Sequence, residues 1–546
     1  MKLLKTGSRP IWLVCLLCFI TFFVNNRVLV PDIMESRNII AAREMVYDGH
    51  WLVPTMNGDL RLEKPPLPTW LTAVAEMVAP DNLALQRGMA GLAAVLLVVY
   101  FWQFAKRILR VDPLIPTLLL CTCYNIILMG RTASWDIYCH AFMMGGIYHL
   151  ARALTMPACE WRHFLMAGVL TGLSILSKGP VSPYALLLPF LISYGYCYRP
   201  SLQGKRGGLV VMVVLALLVG GWWYACVYLS HGEAFAAVAQ KESGSWFSHN
   251  VRPWWYYWKF FLETGVWSLL LLTAIFLPLF DKKRRTSPAW LFSLVWMLLS
   301  LVLLSLLPEK KSRYLLPLLI PACYVMGCLV EMWKEAFRHP LPRRADKVAF
   351  RVNAGLVAFA VALLPVAAWW LLCRSGVLSW AAWGAFTLVC LGIVCWLIRS
   401  LRKLRPMGLL AAVVVLFLCA ECFAWPYIGD VVNNSEMKSI ALTRDIKELD
   451  GLPFYYNEQD PLRIELVYAA HRKIRPLNVG REEDVLQHLP CAVLTHKRVG
   501  EELPQTLWNR VDTLYVGRFD DNRRPATNPR YSDVFVYHVT LLKPKQ

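Results

Sequence analysis

PDIMESRNIIAAREMVYDGHWLVPTMNGDLRLEKPPLP, residues 31–68, stands between two hydrophobic stretches near the N-terminus and sets carboxylates, arginines and a lysine beside apolar sequence. A membrane protein has no structural need for so polar a loop directly after its first helix. The segment therefore points to chemistry at the boundary between water and lipid.

The flanking sequence is that of a membrane protein. Of 546 residues, 57% are hydrophobic and only 17% charged, and the mean hydropathy is +0.43, far from the average of a soluble enzyme. Apolar runs of roughly 17 to 25 residues mark about thirteen candidate spanning helices. They fall at residues 11–30, 83–105, 113–130, 137–154, 163–177, 181–198, 208–229, 257–280, 288–307, 314–333, 348–372, 379–398 and 407–426. Lys2, Lys5 and Arg9 put the N-terminus on the cytoplasmic side. Every second loop after it is basic, as at Lys106, Arg107 and Arg110, at Lys282 to Arg285 and at Arg399 to Arg405, in accord with the enrichment of Lys and Arg in cytoplasmic loops. The C-terminus then lies outside. The net charge of +20 is mostly this topology signal and gives no motive for nucleic-acid binding. The first apolar stretch lacks a small-residue cleavage site and reads as a retained helix.

Fifteen of the sixteen cysteines fall in or beside apolar stretches, where thiols act as small buried hydrophobes, so no disulfide framework is expected. After Trp425 the texture changes to short β-prone runs, PFYYN, CAVLTH, TLYVGRF and DVFVYHVTLL, with a helix-like stretch at 461–471. These predict a small α/β domain of about 120 residues outside the membrane. The expected fold class is thus a polytopic α-helical membrane protein with a C-terminal periplasmic α/β domain. Its module 1–426 includes the first outer loop, 31–82, and 427–546 forms the outer domain.

Within the loop, Ile39, Ala42, Met45 and Val46 recur at helical spacing, Gly49 offers a stop, and Asp32 or Glu35 is placed to cap the start. The spacing predicts an amphipathic helix along the membrane surface, with Arg43, Glu44 and Asp48 solvated. Further on, Glu63-Lys64-Pro65-Pro66 sets an acid and a base before a rigid turn, where Lys64 can meet a lipid phosphate as a point charge. In GRTASWD, Arg131 and Asp136 are ionisable groups at the membrane edge, which default to a functional reading, against a structural pairing of the two. Lys310, Lys311 and Arg313 place three cations outside, contrary to the positive-inside trend, and so suggest an anionic ligand. The competing reading is snorkelling to head groups. His249 and Arg252 precede an aromatic cluster that reads as an interfacial belt; the imidazole is able to ligate a metal and the arginine to hold a phosphate, although a lone histidine is more often a bystander.

The segments ESRNIIAAREM, GHWLVPTMNG and EKPPLPTW, followed in order by GRTASWD, SKGP at 177–180 and KKSRYLLPLLIP at 310–321, resemble the GT-C membrane glycosyltransferases. The nearest branch is that of the lipid A aminoarabinose transferase and its bacterial protein-mannosyltransferase-like relatives. The resemblance covers nearly the whole chain and implies transfer of a sugar from a polyprenyl-phosphate donor to a lipid A-like, protein or other envelope acceptor on the periplasmic face of the inner membrane. In the family the loop opens with adjacent Asp-Glu and an Arg two residues later. Here Glu35 and Arg37 match, Met34 replaces the aspartate, and Asp32 is displaced. The resemblance implies Glu35, or Asp32, as the catalytic acid, with Asp136 as a second acid. It implies Lys64, Arg37, Arg131, Arg252, Lys310, Lys311 and Arg313 around the donor phosphate, and Glu63 and His249 at positions admitting a divalent metal ion without requiring one. Inverting single displacement is the mechanism expected. A protein O-glycosyltransferase of the same fold is one alternative. A transporter or flippase of lipid-linked sugar is another, but transporters carry midplane charges and internal repeats that this sequence lacks. A noncatalytic scaffold leaves the acids of the first loop unexplained.

Overall fold

Apolar sequence becomes helix almost throughout residues 9–432. The structure, a computed structural model, describes residues 9–434 and 436–545, without the side chains of Arg9, Pro10 and Trp246. Lys2 and Lys5 lie outside the described residues. Two compact units are present: Met1–Asn26, Leu62–Leu71 and Asn82–Trp425 form one, and Arg27–Arg61, Thr72–Asp81 and Pro426–Gln546 the other.

In the membrane unit, length and composition select eight spanning helices among the described residues, including Leu83–Leu109, Arg206–Ser230, Ser312–Ala336 and Trp380–Arg402; Ile11–Phe23 is shorter. The other stretches expected to span are also helical, but interrupted or less apolar. Residues 113–130 form two helices, Leu114–Cys121 and Tyr124–Gly130. The break is held at Thr122, whose hydroxyl donates to the Leu118 carbonyl at 2.7 Å and accepts from the Trp267 indole at 2.8 Å. Helix Trp161–Lys178 lies close against Arg206–Ser230 because the contact is built from glycines. A Cβ on Gly168 would stand 2.7 Å from the Met212 carbonyl, one on Gly172 2.6 Å from Val219, and one on Gly220 2.7 Å from Ile175. Small residues that let backbones approach are the usual device for packing helices in lipid. All sixteen cysteines are free.

The second unit contains a two-stranded ribbon, β1 (Thr55–Met56) and β2 (Asp59–Leu60), and a mixed sheet. Strands β3 (Phe454–Asn457), β4 (Ile474–Leu477), β5 (Cys491–Thr495), β6 (Val511–Asp520) and β7 (Val536–Pro544) lie in the order β4-β3-β5-β7-β6. β3 is parallel to β4 and β5, and β7 is antiparallel to β5 and β6. Helix Ile33–Tyr47 packs on helix Ile464–Ala470, and Ile40 joins Phe454, Leu466, Leu494 and Tyr537 in one core. Residues Arg27–Arg61 and Thr72–Asp81 fall in the same unit as the C-terminal domain, whereas Leu62–Leu71, with Glu63 and Lys64, stays in the membrane unit. One expectation is corrected here: the helix of the polar loop is not a solvated amphipathic anchor, because Arg43 and Glu44 are both buried. The physical reason is that each finds partners inside this unit. The Arg43 guanidinium donates to the Asp81 carboxylate and, at 3.0 Å, to the Tyr468 carbonyl. The Glu44 carboxylate accepts from the Thr55 hydroxyl at 2.5 Å and the Gly58 N–H at 3.1 Å.

Candidate active site

Helix Ile33–Tyr47 begins in a capping box. The Asp32 carboxylate accepts from the N–H groups of Met34 and Glu35 at 2.8 and 2.9 Å, and the Glu35 carboxylate accepts from the Asp32 N–H at 3.4 Å. Both acids named by the sequence thus satisfy orphan donors of one helix start. They differ in setting: Asp32 is exposed, whereas Glu35 is 3% exposed. Arg37 is half-buried, with a buried Nε that has no hydrogen-bond partner. Asp81 ties this helix to the rest of the unit, pairing with Arg43, with Arg444 at 2.7 Å and with His471 at 3.6 Å. Burial acts to raise its carboxyl, but the nearby His471 and the Arg43 and Arg444 charges prevail and hold it well below the usual carboxylate range.

In the membrane unit, Asp136 occupies the first turn of helix Trp135–Thr155, where the helix dipole favours an anion. It is 2% exposed and ion-pairs with Lys178, the last residue of helix Trp161–Lys178. That helix stops because Gly179 takes a φ of +71° and Pro180 follows. Lys178 also lies 5.1 Å from the centre of the Tyr314 ring, and the Arg313 charge acts on Asp136 as well. Arg313 forms no ion pair among the described residues, and its buried Nε has no hydrogen-bond partner.

The loops carrying Arg252 and Lys311 are joined edge to edge. Val251 bridges Glu309 in antiparallel fashion, the Arg252 N–H donates to the Pro308 carbonyl at 3.2 Å, and the Lys310 N–H donates to Asn250 at 3.1 Å. The Tyr257 hydroxyl accepts from the Lys311 N–H at 2.9 Å. Lys311 pairs with Glu309 at 2.5 Å, and Lys64 with Glu242 at 3.4 Å. His249 and Arg252 point into the exposed surface.

Two cations expected at the donor phosphate are occupied elsewhere. Arg131 is buried and donates to the Thr21 and Val24 carbonyls, both at 2.6 Å, with its guanidinium 5.1 Å from the Trp425 ring. It therefore closes the C-terminal end of helix Arg9–Phe23, and the pairing with Asp136 is not formed. Lys310, also buried, donates to the Ser305 carbonyl at 3.0 Å and to that of Leu307, ending helix Pro288–Leu306. Burial lowers its ammonium below the usual lysine range. Glu63 and His249 are both exposed, and no third metal-type ligand clusters with them among the described residues; the group that does cluster is Glu44, Asp48 and His50. Lys178 is the residue that sequence reasoning missed; it stood in view only as part of SKGP.

Residues 63–224 match the sequence profile of the dolichyl-phosphate-mannose-protein mannosyltransferases. The chain is 26% identical over 423 residues to undecaprenyl phosphate-alpha-4-amino-4-deoxy-L-arabinose arabinosyl transferase 1 of Pseudomonas fluorescens, covering 72% of this chain and 70% of that protein. The corresponding arabinosyl transferase of Pseudomonas paraeruginosa is 28% identical over 379 residues, 66% of this chain and 65% of the relative. The crystal structure of ArnT from Cupriavidus metallidurans bound to undecaprenyl phosphate superposes with a TM-score of 0.67 over 98% of each chain at 15% identity, so the two share a fold.

Proposed function

We propose that this chain, one of the GT-C membrane glycosyltransferases in the branch of the aminoarabinose and protein-mannosyl transferases, moves a sugar from a polyprenyl-phosphate donor to a lipid A-like acceptor at the periplasmic face of the inner membrane. The N-terminus is cytoplasmic in this reading and the α/β domain periplasmic.

The observation that carries it is the charge balance around Asp136. Lys178 already neutralises this buried carboxylate, so Arg313, half-buried and with a buried, unpartnered Nε, is a cation in excess. A donor phosphate supplies the missing anion, and such a cation stabilises the charge that grows on the phosphate as it leaves. The exposed or half-exposed groups Lys64, Lys311 and Arg252 add to that field, since surface ion pairs such as Lys64–Glu242 are weak enough to exchange partners. In the step itself an acceptor oxygen attacks the anomeric carbon. The bond from that carbon to the phosphate oxygen breaks, the lipid phosphate departs with the electron pair, and a carboxylate takes the acceptor proton. Glu35 is the acid assigned by correspondence with the family motif, and Asp32 serves as the helix cap.

The test is transfer of label from a panel of polyprenyl-phosphate sugars to envelope lipids and proteins, in membranes with matched expression. Arg313→Ala and Glu35→Gln are expected to lower transfer by roughly 10²-fold or more, and Asp32→Asn, which keeps an oxygen acceptor at the cap, to leave most of it. No transfer from any donor while lipid-linked sugar still crosses the bilayer would replace the transferase with a transporter. Label in protein instead of lipid would move the acceptor to the alternative class.

A further inference from the structure

Helix Leu316–Ala336 starts just after the Lys311–Arg313 loop, and a helix of this length spans about 30 Å. Its far end therefore lies at the opposite membrane face from the proposed transfer chemistry. There, a cavity of about 1040 Å³ opens between the ends of helices Leu316–Ala336 and Trp380–Arg402 and the start of Pro406–Cys419. Five cations line it, Lys334, Arg338, Arg399, Lys403 and Arg405, and no carboxylate does.

The charge state of these side chains sets the cavity apart from an ordinary basic rim. Lys334 pairs with Asp112 at 3.3 Å. Arg338, Arg399, Lys403 and Arg405 form no ion pair and no side-chain hydrogen bond among the described residues. The turn that carries two of them is fixed by its backbone: the Arg405 N–H donates to the Ser400 carbonyl at 2.9 Å, and Leu404 adopts a φ of +50°. All four are exposed, so solvent screens their mutual repulsion without removing it, and an anion among them relieves what remains. The wall is apolar where it continues along the spans, with Trp396 and Met407 in the lining. An occupant thus needs an anionic head and an apolar body, and basic pockets between spanning helices on the cytoplasmic side suit phospholipid head groups.

We propose that this cavity is a binding site for the phosphate head group of an anionic phospholipid of the cytoplasmic leaflet. It is separate from the donor site; its assignment to the cytoplasmic leaflet rests on the orientation given under the proposed function, while lipid retention is read without any transferase assay. The phosphate lies among Arg399, Lys403 and Arg405, and an acyl chain runs down past Trp396.

The test uses the full chain in mixed micelles of phosphatidylglycerol and phosphatidylethanolamine, with retained lipid counted by native mass spectrometry. Wild type is expected to retain phosphatidylglycerol preferentially. The R399Q/K403Q/R405Q variant should lose that preference by roughly fivefold per charge, on the order of 100-fold in affinity. The K282Q/K283Q/R285Q variant, which removes as many charges from helix Lys282–Arg285 on the same face, should keep it. The single variants Arg399→Gln and Lys403→Gln, each with a partial loss, guard against a triple variant that fails to fold. Equal losses in the two triple variants would reduce the effect to general surface charge and overturn the site. So would the absence of any preference in wild type. Displacement of the lipid by millimolar inorganic phosphate would make soluble phosphate the ligand and overturn the lipid assignment.

Discussion

Breaking the Asp136–Lys178 pair from either side should harm the protein more than removing both partners. The two side chains are 2% and 7% exposed, so neither regains hydration when its partner is lost. An uncompensated buried charge of this kind destabilises by roughly 3–5 kcal/mol, whereas replacing both ions with groups of similar volume is often close to neutral. The two single variants should also differ. Lys178→Met leaves Asp136 with the remaining positive charge of Arg313, which puts the loss near the lower figure, about 3 kcal/mol. Asp136→Asn leaves Lys178 with little besides the face of Tyr314 at 5.1 Å, a contact worth about 2 kcal/mol when desolvated, and with the Arg313 charge now repelling it. That loss belongs near the upper figure, about 5 kcal/mol. The double variant should return to within about 2 kcal/mol of wild type, a coupling energy of several kcal/mol. Unfolding by SDS in mixed micelles, followed by tryptophan fluorescence, measures all four corners of the cycle. Single variants that each lose under about 1 kcal/mol, or a double variant whose loss equals the sum of the two, would refute the argument that the pair is dehydrated and mutually compensating.

Two other expectations concern the second unit. Asp32→Ala removes the oxygen that accepts from Met34 and Glu35 and should lower its stability by about 1 kcal/mol, with Asp32→Asn nearly neutral, as read by thermal unfolding at matched pH. Burial raises the Asp521 carboxyl from 3.8 to about 6 against the opposing bonds from Ser439 and Ile440. The folded state therefore binds this proton more tightly than the unfolded chain, and the contribution, fully present below pH 3.8, is lost as pH rises through about 6. It amounts to on the order of 3 kcal/mol, and Asp521→Asn should flatten the pH dependence of unfolding between those limits; an unchanged profile would contradict it.

The eight long apolar spans were legible because a stretch of apolar residues long enough to cross lipid needs no partner to declare itself; the breaks that interrupt others of the thirteen expected were not. A carboxylate cap at the helix start was legible for a similar reason, its hydrogen bonds being local, but not that Asp32 and Glu35 act together in a capping box. What sequence could not show were partners remote along the chain. Asp136 was visible as an acid at the membrane edge, but Lys178 stands 42 residues further on, and nearby Arg131 looked the more natural mate. Arg131 itself is held by carbonyls of Thr21 and Val24, 110 and 107 residues away, and backbone carbonyls leave no mark in a sequence. Arg43 read as a solvated charge because the Tyr468 carbonyl lies 425 residues distant, whereas the partners of Glu44, the Thr55 hydroxyl and the Gly58 N–H, stand only 11 and 14 residues on but depend on a turn of the chain back onto the helix. Strand β4 escaped notice because it is four residues long and contains Pro476, which suits an edge strand and little else.

The tie through Asp81 bears on how the C-terminal domain can be inherited or engineered. Arg43 and Arg444 grip the same carboxylate from sequence segments about 400 residues apart, and the Asn57 side chain exchanges two hydrogen bonds with the backbone of Ile474 at 2.7 and 2.8 Å. Truncation after residue 425 would thus not trim an accessory but strip the segment bearing Glu35 of its scaffold. Exchanging the domain between relatives would demand grafting 27–61 and 72–81 with it, so that the three pieces behave as a single heritable cassette.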